Sequence, residues 1–212
     1  MDPKPLNKTA AKRIVFSLGN PSKMPGKSWG ISPLQCNIGS KLRNVPGSTC
    51  SDCYACKGNY LFPCTEKSHA KRLEAMQTNP RWIEAMAKLI STEEHFRWHD
   101  AGDLQDLEHL TKIVEVVRLT PDTKHWLPTR EKGILNRYLK QGGVFPPNLV
   151  VRLSAAMIDG KAPSGPNWNT STVHKDTPAR GHECPAPKQG GKCGDCRACW
   201  SRDVPNVGYH KH

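Results

Sequence analysis

The sequence predicts an α/β protein: a parallel sheet, open or closed partway into a βα barrel, with cysteine-rich metal-binding N- and C-terminal loops. Three observations carry this. Strand-like and helix-like runs alternate between residues 95 and 154, and such alternation implies parallel strands joined by crossover helices. The 18 Pro and 17 Gly imply much irregular backbone elsewhere. All nine cysteines fall outside the alternating stretch. A chain of 212 residues is long enough for one compact domain with its own core. Its composition divides it into a basic cysteine-rich segment (1–65) with a first metal site, a βα core (66–154), and a loop with a second metal-binding segment (155–212).

The elements follow in order. Short strands are expected at Arg13–Leu18 and Ser28–Ser32 within a loop-rich start. A helix begins near Glu66 with Thr65 as its N-cap, and Ala70, Leu73 and Met76 share a face. Asn79-Pro80 ends it and starts another, in which Trp82, Ile83, Met86, Leu89 and Ile90 keep helical spacing. His95–His99 reads as a strand, Asp100-Ala-Gly-Asp103 as a turn, and Leu107, Leu110, Val114 and Val117 as a helix. A strand at His125–Thr129 and a helix with Ile134, Leu135, Tyr138 and Leu139 follow, stopping at Gly142-Gly143. Asn148–Ser154 is an apolar strand. Residues 155–183 read as a long loop, a length that usually has a function or is disordered.

The cysteines are the strongest chemical signal. Cys50-Ser-Asp-Cys53-Tyr-Ala-Cys56 and Cys193-Gly-Asp-Cys196-Arg-Ala-Cys199 each space three thiols at i, i+3 and i+6. Cys36 precedes the first triplet and Cys184 the second. One short loop of this spacing can wrap three corners of a cubane, and a remote fourth cysteine, here Cys184 before Pro185, closes the site. Zinc more often uses two separated C-x₂-C pairs. Two [4Fe–4S] clusters are therefore expected, with zinc as the alternative and unligated or disulfide-forming thiols as the bland one. Either centre can also act simply as a staple for loops without a core. Cys64 is expected to be a spare thiol, although it can replace Cys36 as the fourth ligand of the first site.

The formal net charge is +12 and uneven. Residues 1–72 carry 12 Lys/Arg against 3 Asp/Glu, whereas residues 93–131 carry 5 against 9. Eight thiolates and two cluster cores would still leave a net charge of about +8. Nucleic acid or a nucleotide is therefore a natural partner. No apolar run approaches a membrane span, and the opening MDPKPLNK lacks a signal-peptide pattern. A cytoplasmic protein with no membrane partner is expected, a setting where clustered cysteines more often bind metal than form disulfides.

Parallel sheets put ligand groups at the carboxyl ends of their strands. Here those ends are His99-Asp100, Thr129-Arg130-Glu131 and Arg152-Leu-Ser154. Alternation sets Phe96 and Trp98 against Arg97 and His99, and Val151 and Leu153 against Arg152 and Ser154. With the apolar set on the helices, Arg97, His99, Thr129, Arg152 and Ser154 point into one cavity. His99, Asp100, Arg97 and Arg152 are thus the candidate catalytic residues. The plainer reading is that Asp100 and Asp103 make the turn and cap the next helix. Trp200, next to Cys199, would shield a cluster from solvent.

Three separated motifs carry a resemblance. The run from Cys36 through Pro46-Gly-Ser-Thr-Cys50 to Cys53-Tyr-Ala-Cys56-Lys-Gly-Asn-Tyr60 resembles the opening of a bacteriophage-encoded family known as gene product 88. Phe96-Arg-Trp-His-Asp-Ala-Gly-Asp103 is similar to its central signature, and Cys184-Pro185 with Lys192-Cys-Gly-Asp-Cys-Arg197 and Cys199-Trp200 to its C-terminal one. The likeness spans most of residues 28–200. It implies Cys36, Cys50 and Cys53 as members of the first site and all four late cysteines as the second. The family position matching Cys56 is more variable, which leaves room for a three-cysteine cluster with one open iron. The layout also bears a likeness to radical-SAM partial barrels, but those use C-x₃-C-x₂-C, which neither triplet has, so SAM use does not follow.

The expectation is a phage-encoded iron–sulfur protein in the host cytoplasm, acting in redox chemistry or on nucleic acid or a nucleotide. The alternative is a non-catalytic, metal-stapled binding module for nucleic acid or a host protein.

Overall fold

The computed structural model of the chain describes residues 4–165 and 168–211. Seven parallel strands form one open sheet: β1 (Lys27–Trp29), β2 (His95–Trp98), β3 (Lys124–Thr129), β4 (Leu149–Ile158), β5 (Asn169–His174), β6 (His182–Glu183) and β7 (Asn206–His210). In space they run β1-β2-β3-β4-β5-β7-β6, so β7 enters between β5 and β6. The register pairs Phe96 with His125, Trp126 with Val150 and Leu153 with Thr170.

Among the described residues there are six α-helices: α1 (Lys8–Val15), α2 (Asn37–Leu42), α3 (Pro63–Thr78), α4 (Trp82–Ile90), α5 (Leu107–Arg118) and α6 (Lys132–Lys140). Helix α4 forms because Trp82, Ala85, Met86, Leu89 and Ile90 make one apolar stripe, all of it buried. Helix α5 does the same with Leu110, Ile113, Val114 and Val117, and the Asp106 carboxylate caps it by accepting from the His109 N–H at 2.8 Å. These stripes meet Phe96, Trp98, Leu127, Leu149, Val151 and Leu153, alternate residues of β2, β3 and β4, in one continuous core. Each such side chain stabilises the fold by ~1.5–3 kcal/mol on burial.

Residues of the opposite parity, among them Arg97, Trp126 and Arg152, face the other side of the sheet. The C-terminal segment covers that face. Trp200 is buried there, its indole N–H donating to the Phe96 carbonyl at 2.9 Å and its ring against His95 and Trp126. Arg152 is the main anchor. Its five N–H groups donate to five backbone carbonyls: Cys199 at 3.0 Å, Thr170 at 3.2 Å, Val204 at 3.0 Å, and Ala198 and Ser201 at 2.7 Å each.

The structure departs from the sequence expectations in four places. Residues 13–15 end helix α1 rather than starting a strand, because Asn7 caps α1, accepting from the Ala10 N–H at 2.8 Å, while Ala11 and Val15 join the core. Helix α3 starts at Pro63, ahead of Thr65, with proline in the first turn where its missing N–H costs nothing. Much of the expected 155–183 loop is strand: β4 continues to Ile158, and β5 and β6 follow, with Pro166 and Asn167 outside the described residues. Finally, the helix cap is Asp106; Asp103 instead accepts from Leu104 N–H, Arg130 N–H and the Thr129 hydroxyl at 2.8, 2.9 and 2.6 Å.

Candidate metal centres

The first cysteine set is held over the carboxyl ends of β3 and β4. The Thr49 N–H donates to the Ala156 carbonyl at 2.8 Å and the Ile158 N–H to the Gly47 carbonyl at 2.9 Å, tying the loop before Cys50 to the end of β4. The Arg130 guanidinium also reaches the Thr49 hydroxyl. Helix α2, just after Cys36, is tied to the end of β3 by the Ile38 N–H, which donates to Glu131 Oε1 at 2.9 Å. These thiols lie in one another's field: Cys36 with Cys50 and Cys53, and Cys56 with Cys53 and Cys50. Burial, then the Asp103 carboxylate, push the Cys36 thiol up to about 12. Burial raises Cys50 too, opposed by the Arg130 guanidinium.

Gly39 makes the room between the first two thiols. A Cβ there would stand 2.8 Å from the Cys36 Cβ, and 3.5 and 3.7 Å from the Cys36 and Cys50 sulfurs. A side chain at this point of α2 would fill the space the sulfurs face.

The second set is built at the β7 side. The Cys184 N–H donates to the Gly208 carbonyl and the Cys193 N–H to the Lys23 carbonyl, both at 2.8 Å. Gly194, at φ 53, supplies the left-handed step that lets the Cys196 N–H return to the Cys193 carbonyl at 3.0 Å. Cys193 lies in the field of Cys184 and Cys196, and Cys199 in that of Cys184. Burial pushes the Cys199 thiol up to about 11, against the Tyr209 hydroxyl and Arg152. The Tyr209 oxygen is 3.0 Å from Cys199 Sγ, and His182 Nε2 is 3.3 Å from Cys196 Sγ.

All nine cysteines are free thiols, and Cys64 is exposed in the first turn of α3. Among the described residues, no three His, Cys, Asp or Glu side chains converge as ligands of a single metal ion. The donor chemistry of each set is nevertheless uniform: four sulfurs, on loops tied to the sheet.

The four candidate catalytic residues part company. Arg97 lies on the covered face between the two sets. Its guanidinium is 4.7 Å from the Trp126 ring centroid, and one nitrogen donates to the Tyr54 hydroxyl at 3.1 Å. Tyr54 in turn donates to the Asp100 carbonyl. The Asp100 carboxylate packs beside Gly30, with Oδ1 unpartnered. Arg152 commits its whole guanidinium to the carbonyls named above. His99 turns the other way: φ 54 breaks the strand alternation and sends its ring against Trp29 and His109, centroids 6.1 and 5.2 Å away. Burial, then His109 and Arg97, hold His99 well below its ordinary value. Thr129 bonds to Asp103, so the expected five-residue cavity does not form.

Tyr54, Tyr209, His182 and Arg130 were given no role by the sequence pattern. Tyr209 and His182 lie on β7 and β6, two strands without an apolar run to announce them. Tyr54 and Arg130 stood inside recognised motifs, but their partners are far away in the chain.

The profile of the family described as Gene product 88 matches residues 34–202, from just before Cys36 to just after Trp200. The chain belongs to the gene product 88 family. The match spans both cysteine sets, the 96–103 signature and Arg152 of this gene product 88 protein. No curated protein and no solved structure matches the chain.

Proposed function

We propose that this gene product 88 protein is an iron–sulfur protein, with one [4Fe–4S] cluster held by Cys36, Cys50, Cys53 and Cys56 and a second by Cys184, Cys193, Cys196 and Cys199. The observation that carries the reading is that thiols 14 or more residues apart, Cys36 with Cys50 and Cys53, share one field beside a glycine that leaves their space open. Clusters bound there would supply one-electron transfer at low potential. The chain's own residues keep the sulfurs largely out of water and set cations beside them: Arg130 near the first set, Arg97 and Arg152 near the second. Raised thiols must lose their protons when metal binds, so loading releases protons. The carboxyl-end location of the first set is where a redox enzyme of this architecture would meet a substrate, and a basic surface favours nucleic acid or a nucleotide.

The test is anaerobic purification with iron, sulfide and zinc analysis and EPR of the reduced protein. Roughly eight iron and eight sulfide per chain are expected. Cys50→Ser and Cys196→Ser should each remove about half of the iron, as two four-iron clusters require. Stoichiometric zinc without sulfide would reject the reading.

A second reading has one observation in its favour. Leu34, Tyr54, Leu61 and Phe62 are exposed apolar side chains around the first triplet, in the most basic part of the chain. A non-catalytic, metal-stapled module, with clusters or zinc, would stack bases there and neutralise phosphates. Salt-sensitive oligonucleotide binding lost in Tyr54→Ala and Phe62→Ala but kept in His99→Ala would favour it.

A further inference from the structure

The two cysteine sets have different surroundings. Around the second, two side chains meet two different sulfurs: the Tyr209 hydroxyl at Cys199, 3.0 Å, and His182 Nε2 at Cys196, 3.3 Å. A sulfur committed to metal has no proton to give, so in the loaded protein both side chains are donors. Tyr209 is mostly buried, stacked on Trp126 with centroids 6.5 Å apart, which fixes its hydroxyl. Two guanidiniums, Arg97 and Arg152, lie in the field of Cys199, and Arg97 and Arg197 in that of Cys193. Among the described residues no carboxylate forms an ion pair with Arg97 or Arg152.

Around the first set a carboxylate stands among the cations, Arg130 in the field of Cys36 and Cys50 and Arg43 in that of Cys56. Asp103 is a buried carboxylate in the field of both Cys36 and Cys50, and it works against the Arg130 cation. The Thr49 hydroxyl beside Cys50 donates to the Ala155 and Ala156 carbonyls, 3.2 Å each, and among the described residues no side-chain hydroxyl or imidazole is hydrogen-bonded to a sulfur of this set.

Reduction adds a negative charge to a centre. Hydrogen bonds to its sulfurs and nearby cations favour that charge, and a nearby carboxylate disfavours it. We infer that the second cysteine set is the higher-potential site, the one that takes an electron first, and that Tyr209 and His182 are the positioning residues that make it so. This rests on the iron–sulfur reading. The electron comes from an external low-potential one-electron donor, and no bond is broken.

The experiment is an EPR-monitored potentiometric titration with dithionite on anaerobically prepared full-length protein, its iron and sulfide content measured first. Two reductive waves are expected. Tyr209→Phe, which keeps the ring and removes only the hydroxyl, should lower the upper wave by about 59 mV or more, a tenfold change in a one-electron equilibrium. It should leave the lower wave in place. His182→Ala, at an exposed position, should move the same wave in the same direction by less. The inference is overturned if full iron and sulfide are present but Tyr209→Phe moves the lower wave, or neither. A preparation without iron and sulfide removes the reading beneath it and the inference together.

Discussion

Arg97 joins the sheet to the first cysteine triplet: its guanidinium stacks on Trp126 at 4.7 Å and donates to the Tyr54 hydroxyl at 3.1 Å. Trp126 belongs to β3, while Tyr54 stands between Cys53 and Cys56. One side chain therefore couples the position of the triplet to the register of the central strands.

Arg97→Ala should cost about 1–3 kcal/mol in urea unfolding, from the lost cation–π contact and the lost hydrogen bond to the Tyr54 hydroxyl. Arg97→Lys should recover only part of this, because an ammonium cannot both stack and reach. Trp126 loses its cationic neighbour in the alanine variant, so tryptophan emission should change before unfolding begins. Equal stability of all three proteins would contradict the contact.

Arg152 gives a larger effect. Arg152→Lys leaves at least two of five buried carbonyls without a donor, and the expected loss is on the order of 3–5 kcal/mol. Limited proteolysis should then cut within residues 184–204 while the βα core survives. If the iron–sulfur reading holds, iron should fall at the second site and persist at the first.

Most of the βα core was legible in the sequence because apolar residues recur there at helical spacing and β-branched runs stop at Gly or Pro. Strands β5 and β7 were not, since Asn169–His174 and Asn206–His210 are polar and are held by side-chain bonds such as Thr170 to Asn206 at 2.8 Å. Helix α1 is hidden in the sequence because Ile14, Val15, Phe16 and Leu18 have the look of a strand, and only the Asn7 cap marks the helix. Alternation placed Arg97 and Arg152 correctly on the face away from the helices. It failed at His99, where a left-handed residue reverses parity, something no periodicity reports.

Gly39→Ala tests the space between the first two thiols. The added methyl group meets the Cys36 Cβ at 2.8 Å, so Cys36 must shift. The expected outcome is loss of about half the bound iron, as two four-iron clusters require, with little change in the far-ultraviolet circular dichroism. Retention of full iron would show that Cys36 is not a ligand.

Acid should destabilise the fold through two core histidines. Burial holds His109 and His125 down to about 3 in the folded chain, against an ordinary 6.5. Above pH 6.5 both are neutral folded or unfolded. Between pH 6.5 and about 3 the unfolded chain takes up protons the folded one refuses, so stability falls by about 1.4 kcal/mol per pH unit for each histidine. Urea midpoints between pH 7 and pH 5 should therefore drop, and His109→Gln should make that slope shallower. An unchanged slope would mean that His109 is protonated within the fold.

Because Arg152 grips only main-chain oxygens, of Thr170, Ala198, Cys199, Ser201 and Val204, the clamp is indifferent to which side chains those residues carry. Such a fastening separates two demands that usually compete. The curve of the C-terminal segment is dictated from beneath by one residue of β4, and its outward side chains are free to diversify against whatever the protein meets. Substitutions across residues 201–204 can therefore keep the same path, so long as the arginine stays.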